Sequence, residues 1–288
     1  MIPKKDTAKD LWKPKRRIEL LYQRRLRQLM RKLEDKLKKV TGLEDILKTL
    51  KEFSKSKEFN QYAEATAKKM VTGVFTDAGK TWRTAARVNS KGREIYEALK
   101  QEFNSPIGIA LKEQTDRNSR LIKSMPERIR IEITDIVARE TMEGRRSSEI
   151  AEDLQSRFPE MLKNKADLIA RTETSKTDSA LNQARSQNLG LNWYIWRTSD
   201  DVRVRKSHDH MEDVLINWNN PPSPEALIRQ RSKLGKYHAG CAPNCRCYSE
   251  IVVRLDFVKF PHKVYYNGKI QWMSKKQFES IMQLKEGV

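Results

Sequence analysis

The chain has no run of eighteen or more apolar residues, so no membrane-spanning helix is expected. Its opening residues, Met1-Ile2-Pro3-Lys4-Lys5-Asp6, lack the apolar core of a secretory signal. Cysteine is scarce: 3 in 288 residues, all within Cys241–Cys247. A secreted disulfide framework needs paired, dispersed cysteines, so a reducing compartment with a metal-bound or free thiol cluster fits better. There is no His-Glu-x-x-His helix and no glycine spacing of the Walker type ahead of Gly79-Lys80. His208-Asp209-His210 has the wrong middle residue for the His-x-Glu pairing of zinc deaminases. Acidic residues are in deficit, 38 against 58 Lys and Arg, for a formal charge of +20. That imbalance favours polyanionic partners: nucleic acid, an anionic membrane surface or an acidic protein face. The competing reading is a set of well-solvated helix faces.

About half of the excess charge sits in residues 1–40, where 15 basic residues meet 5 acidic ones. Within that stretch Ile18, Tyr22, Leu26, Leu29, Leu33, Leu37 and Val40 recur every three or four positions. This spacing predicts one apolar stripe on one helix, ended by Gly42. Arg16, Arg17, Arg24, Arg25, Arg27, Arg31 and Lys32 fill the other faces and are the candidate residues for contact with DNA or an acidic protein surface. Leu43–Leu50 and the stretches 57–72, 80–103, 105–123 and 126–143 keep helical periodicity. Breaks are expected near Gly73, Gly79, Asn104-Ser105-Pro106 and Ser124-Met125-Pro126, with Ser105 and Ser124 as caps before first-turn prolines. Gly144 stops a helix, Ser147 restarts one, and a further helix runs from Lys163 to Asn188.

After Gly190 the texture changes. Trp193–Trp196 is an aromatic, β-branched run suited to a strand, and Asp200-Asp201 reads as a turn. Val202–Arg205 alternates with period two, and Asn217–Pro224 is loop-like. Tyr248–Val253 predicts a strand, Val264–Tyr266 and Ile270–Trp272 a hairpin around Asn267-Gly268, and Ser274 the cap of a closing helix. The fold class is therefore mainly α with a C-terminal α+β module: a helical N-terminal part followed by a small sheet clipped by a Cys/His cluster. The expected divisions are 1–125, 126–255 and 256–288.

Zinc favours thiolate and imidazole in a tetrahedron. Cys241, Cys245 and Cys247 offer up to three ligands, and His208 is the preferred fourth, with His238 or His210 as substitutes. Cys245 and Cys247 project to one side if their stretch is extended, while Pro243-Asn244 suits a turn that folds Cys241 back toward them. Structural zinc, inert buried thiols and redox chemistry are the readings this pattern allows. Arg171 and Glu173, two positions apart, cannot face each other on a helix, so each needs a partner elsewhere, as a structural ion pair or an anion site. Asp200, Asp201, Arg203 and Arg205 suit a turn better than a nuclease centre. Trp193, Trp196 and Trp218 read as core rather than as base-stacking platforms.

Taken in order, Ala170-Arg171-Thr172-Glu173-Thr174, Trp196, Asp201-x-Arg203-Val204-Arg205-x-x-His208, the proline-rich loop and Asn244-Cys245-Arg246-Cys247 resemble the phage head-morphogenesis proteins of the Mu F-like minor head type. The resemblance covers about Ile131–Val253, and makes Arg171, Glu173, Asp201, Arg203 and Arg205 its structural motif. The family pattern often has a glycine shortly after the histidine, where this chain has Met211-Glu212-Asp213. The resemblance implies a non-enzymatic minor capsid component inside the head of a tailed phage, assembled in the host cytoplasm. Its implied partners are the portal protein, the major capsid or scaffolding protein, and double-stranded DNA bound without sequence specificity. Its implied roles are head assembly and DNA packaging or ejection. A metal-dependent nuclease or other nucleic-acid-processing enzyme is the alternative.

Overall fold

The computed structural model describes residues 11–87 and 92–283. The basic lead-in over residues 1–10 and the 88–91 portion of the helix expected at 80–103 lie outside the described residues. The fold is mainly helical, with a small five-stranded mixed sheet toward the C-terminus. The described residues fall into two compact units that are interleaved along the chain. One comprises residues within Met1–Lys15, Val74–Ala110 and Ser175–Val288, the other Arg16–Gly73 and Leu111–Thr174.

The second unit is helical. Helix α1 (Arg16–Leu37) buries Tyr22, Leu26, Leu29, Leu33 and Leu37, the stripe read from the sequence, together with Met30. It ends at Leu37, so Gly42 does not terminate it. Gly42 instead begins α2 (Leu43–Lys55), whose Ile46 amide donates to its carbonyl at 3.0 Å. Helix α3 (Lys57–Arg87) runs unbroken through Gly73 and Gly79, where breaks were expected. A single glycine lowers helix stability by only about 1 kcal/mol relative to alanine, so neither position breaks the helix, whose residues from Val74 onward belong to the other unit.

Helix α4 (Gly92–Lys100) is followed by a single 3₁₀ turn (Glu102–Asn104) and by α5 (Pro106–Lys123). Ser105 caps α5 as expected, its hydroxyl accepting from the Ile107 amide at 3.2 Å. Ser124 precedes α6 (Met125–Met142) but makes no such cap, because its hydroxyl donates backward to the Leu121 carbonyl. Gly144, at φ +84°, closes α6. Helix α7 (Ser147–Asn188) is one 42-residue helix that passes through Pro159, where two separate helices were expected.

Within the helical unit the Arg-Thr-Glu motif acts as two ion pairs to different helices. Arg171 Nε lies 3.6 Å from Glu19 of α1, and Glu173 lies 2.8 Å from Arg117 of α5. Each residue thus has the distant partner its helical spacing demanded. Arg27 makes a two-pronged pair with Asp167 at 2.6 and 2.5 Å.

The other unit is built on the sheet, in the order β3-β1-β2-β4-β5. Strand β1 (Trp193–Arg197) pairs antiparallel with β2 (Val214–Asn217) and β3 (Tyr248–Ile251). Strand β4 (His262–Tyr266) runs parallel to β2 and antiparallel to β5 (Lys269–Met273). The expected hairpin at Asn267-Gly268 is thus part of the same sheet as the family segment. Strand pleating sends Tyr194, Trp196, Val214 and Ile216 to one face, with Trp82, Ile95 and Trp218. Trp193, Ile195, Leu215 and Val264 face the other way, toward Phe278 of α10 (Lys275–Gln283). Ser274 caps α10 as expected: its amide donates to Gln277 Oε1 at 2.8 Å, and its hydroxyl accepts from the Gln277 amide at 3.4 Å. Val202–Arg205 forms no strand. Val204 N donates to the Asp201 carbonyl in a turn, and Val202 is fully exposed.

A polar seam runs along the end of α7 in this unit. Asn182 accepts from Trp82 Nε1 at 2.9 Å and donates to Asp178 at 3.2 Å, while Arg185 pairs with Glu102. Burial pushes the Asp178 carboxyl up from 3.8 to about 7, Asp77 adds to the rise, and Arg185 and Asn182 oppose it. The folded chain therefore holds a proton that the unfolded chain releases near 3.8. This group's contribution is fully favourable below that value and declines as pH rises toward 7. Asp178→Asn is expected to gain stability over the native chain between pH 5 and 8, by about 1–2 kcal/mol once solvent screening of a partly accessible residue is allowed for. Urea denaturation at both pH values measures it, and a pH-independent difference rules out this account.

Candidate functional site

The site forms where two loops of the sheet-bearing unit meet on the Trp196 face. The first loop leaves β1, turns at Asp200-Asp201 and enters a one-turn helix, α8 (Lys206–Asp209), which carries His208. The second is the turn Cys241–Cys247 that leads into β3. There the Cys245 amide donates to the Ala242 carbonyl at 3.1 Å, with Asn244 at φ +58°. Proline at the second position and a left-handed residue at the third are what such a turn requires.

Each element of the first loop reaches the second. Asp201 lies 3.7 Å from Arg246 Nη1, Arg205 Nη2 donates to the Pro243 carbonyl at 2.7 Å, and His208 Nδ1 lies 3.4 Å from both Cys245 Sγ and Cys247 Sγ. Arg203 serves the first loop itself: its amide donates to Asp201 Oδ1 at 2.9 Å, and its guanidinium meets Oδ2 at 3.2 Å. Asp201, Arg205 and His208 of the Asp-x-Arg-x-Arg-x-x-His pattern thus fasten one loop to the other, and Arg203 braces Asp201 within the first.

His208, Cys245 and Cys247 are buried, and their ligand atoms lie within 4.8 Å of one another. Cys241 does not join them. Its sulfur faces Ser179 Oγ of α7 at 3.5 Å, and burial pushes its thiol up. His210 is exposed, and His238 turns to Tyr194 OH at 3.2 Å, its pKa lowered by burial to about 4. Of the four ligands expected, the fold gathers three, and of the candidate histidines it gathers His208.

Between the two clustered cysteines the hydrogen bond from Cys247 holds the Cys245 thiol well below its ordinary range, with His208 assisting and burial opposing. The same bond and burial push Cys247 up.

Two residues of the site had no signal in the sequence. Tyr237 OH lies 3.0 Å from His208 Nε2 and donates to the Glu225 carboxylate, whose oxygens are 2.7 and 2.8 Å away. Glu225 sits in the one-turn helix α9 (Pro224–Leu227), and Ser207 Oγ also reaches it at 3.2 Å. Burial and Glu225 both push the Tyr237 phenol up. The Trp196 ring meets the His208 ring edge-on at 5.6 Å. A glutamate within a proline-rich loop reads as a solvated residue, and only the fold turns it inward.

Two further residues fix the backbone around the site. Asp213 adopts φ +63°, and its carboxylate accepts from Arg197 Nη1 at 2.7 Å. Gly240 takes φ +83°, and a Cβ there would lie 3.0 Å from the Cys247 carbonyl oxygen.

The basic candidates lie on α1, in the helical unit. Arg16, Arg17, Arg24, Arg31 and Lys32 are exposed, whereas Arg25 and Arg27 are half-buried. Arg27 is committed to Asp167 and Lys32 to Glu58, at 2.7 Å.

Residues 131–250 match the family described as Phage Mu protein F like protein, so this segment, with its clamped loops, is Mu F-like. An uncharacterized protein of Haemophilus influenzae is 26% identical over 236 residues, covering 81% of this chain and 47% of its own length. The chain thus spans about half the length of that relative. No solved structure matches it significantly. Among the described residues no helix is long and apolar enough to cross a membrane.

Proposed function

We propose that the chain is a minor head protein of a tailed phage, held inside the head at the portal vertex and acting in head assembly and in DNA packaging or ejection. The observation that supports this most is the Mu F-like match over 131–250, which includes Asp201, Arg205 and His208, the residues that join the two loops. The major capsid or scaffolding protein would be a further assembly partner. The role is structural rather than catalytic. Asp201 is engaged by Arg203 and Arg246, and the thiol-rich cluster is a poor host for magnesium, which prefers oxygen ligands. Co-expression with the cognate portal and capsid proteins, followed by sedimentation and a salt wash, tests the reading. Low-copy retention that depends on portal is expected, and absence from particles overturns it.

The exposed basic face of α1 would contact packaged DNA through phosphates, releasing counterions as it binds. Arg24→Gln, Arg25→Gln and Arg31→Gln combined are expected to lower the slope of log affinity against log salt by about 2–3. Arg27→Gln should weaken its pair with Asp167 and leave the slope nearly unchanged. Fluorescence anisotropy on duplex DNA over a salt series reads both, and an unchanged slope in the triple variant places the DNA surface elsewhere.

A further inference from the structure

We infer that His208 Nδ1, Cys245 Sγ and Cys247 Sγ bind one zinc ion, with Tyr237 and Glu225 orienting the imidazole and Cys241 outside the ligand set. This inference rests on the cluster's geometry and is independent of the phage-head reading.

The proton positions follow from the hydrogen-bond chain. Tyr237 OH has a single proton, and both Glu225 oxygens lie within 2.8 Å of it, so the phenol donates to the carboxylate. Its oxygen is then the acceptor for a proton on His208 Nε2, 3.0 Å away. With that proton on Nε2, the Nδ1 lone pair is free and points at the two sulfurs. A ligating histidine ordinarily has this arrangement, its remote N–H held by a carboxylate directly or through a relay.

The spacing agrees with the metal. Zinc–sulfur and zinc–nitrogen bonds of ~2.3 and ~2.05 Å at a tetrahedral angle place N and S about 3.6 Å apart. The two Nδ1–Sγ distances here are both 3.4 Å. Two sulfurs and one imidazole nitrogen select zinc over the oxygen-loving divalent cations. Among the described residues no fourth histidine, cysteine or carboxylate joins the set, so a non-protein ligand such as water completes the tetrahedron. The ion ties α8 to the turn before β3 across the excursion between them, where Arg205 and Asp201 already clamp.

The test uses the untagged full-length chain, purified with reductant, loaded with zinc and desalted. Elemental analysis is expected to give one zinc per chain, retained in Cys241→Ser and lost in His208→Ala. Glu225→Gln should weaken zinc 10- to 100-fold in competition with a chromophoric chelator, the range for removing an outer-shell partner. Because a ligand variant can fail to fold, the native chain is also titrated with cobalt(II). A thiolate-to-cobalt absorption band of two-thiolate intensity, displaced by zinc, is expected. A native chain that takes up no stoichiometric zinc overturns the inference. So does a Cys241→Ser variant that loses the metal, or a cobalt band of three-thiolate intensity.

Discussion

Replacing Glu102 with Gln is expected to lower the unfolding free energy by about 3–5 kcal/mol, because it strands a buried cation. Arg185 is 1% exposed and Glu102 5%. The guanidinium donates to both carboxylate oxygens, Nε at 2.6 Å and Nη2 at 3.1 Å, and Nη2 also reaches the Phe75 carbonyl at 3.0 Å. The Phe75 ring lies 4.8 Å from the guanidinium carbon and adds an attraction to the charge. Removing the negative partner leaves the buried guanidinium without its two-pronged acceptor. The pair itself need not be strongly stabilising, since desolvating two ions offsets most of their attraction. Replacing both residues, Arg185→Met with Glu102→Leu, should therefore recover most of the loss. Urea titrations of the two single variants and the double variant measure the cycle. A Glu102→Gln loss below about 1 kcal/mol would show that the guanidinium finds compensation elsewhere.

The second large effect is expected at Gly240, which positions the cysteine turn. Its φ of +83° is one that L side chains rarely adopt, and an added Cβ would meet backbone on two sides. The Cys247 carbonyl oxygen would lie 3.0 Å away and that of Ser175 3.2 Å. Neither atom is the tip of a flexible side chain, so the loop or α7 would have to shift. The loop is further pinned by Ser175 Oγ, which donates to the Cys245 carbonyl at 3.1 Å. Gly240→Ala is expected to cost about 2–4 kcal/mol, combining left-handed strain with displacement of packed backbone. It should also raise thiol reactivity at Cys245 and Cys247, which are 4% exposed in the native fold. Thermal melts and the rate of thiol labelling under native conditions measure both. Native stability with protected thiols would mean that the turn has room the structure does not show.

The parts of this fold legible in sequence are those where local pattern and tertiary demand coincide. The α1 stripe, the Trp193–Trp196 strand, the Asn267-Gly268 hairpin and the Ser274 cap all announce themselves within a few residues. Strand β2 does not. Val214-Leu215-Ile216-Asn217 is buried along its whole length, so it shows no polar alternation, and it is too short to outweigh its surroundings. The glycines of α3 mislead for the opposite reason. They look like helix breakers, yet a single glycine weakens a helix by only about 1 kcal/mol relative to alanine, and α3 passes through both.

The candidate site divides in the same way. His208, Cys245 and Cys247 could be grouped because cysteine and histidine are scarce and clustered. The proximity of Cys241 along the chain suggested a fourth ligand, but Gly240 and the turn at Asn244 send its sulfur to Ser179 instead. Tyr237 and Glu225 lie in a loop whose path depends on the completed sheet, so no local pattern could have singled them out. Arg197 is a similar case: its contacts to Glu212, Asp213 and Glu250 join β1 to residues that come together only in the folded sheet.

The interleaving of the two units bears on the order in which the chain can mature during synthesis. The helical unit draws on Arg16–Gly73 and Leu111–Thr174, so its last segment is synthesised before strand β1. The sheet-bearing unit needs Val74–Ala110, translated early, to wait for everything after Ser175. At about 5–20 residues per second that wait lasts on the order of ten to a few tens of seconds, with Trp82 and Ile95 lacking their sheet partners. Nascent chains stalled just far enough beyond Thr174 for it to clear the exit tunnel should therefore resist protease over the helical unit while remaining cleavable between residues 74 and 110, where chaperones would find their first hold.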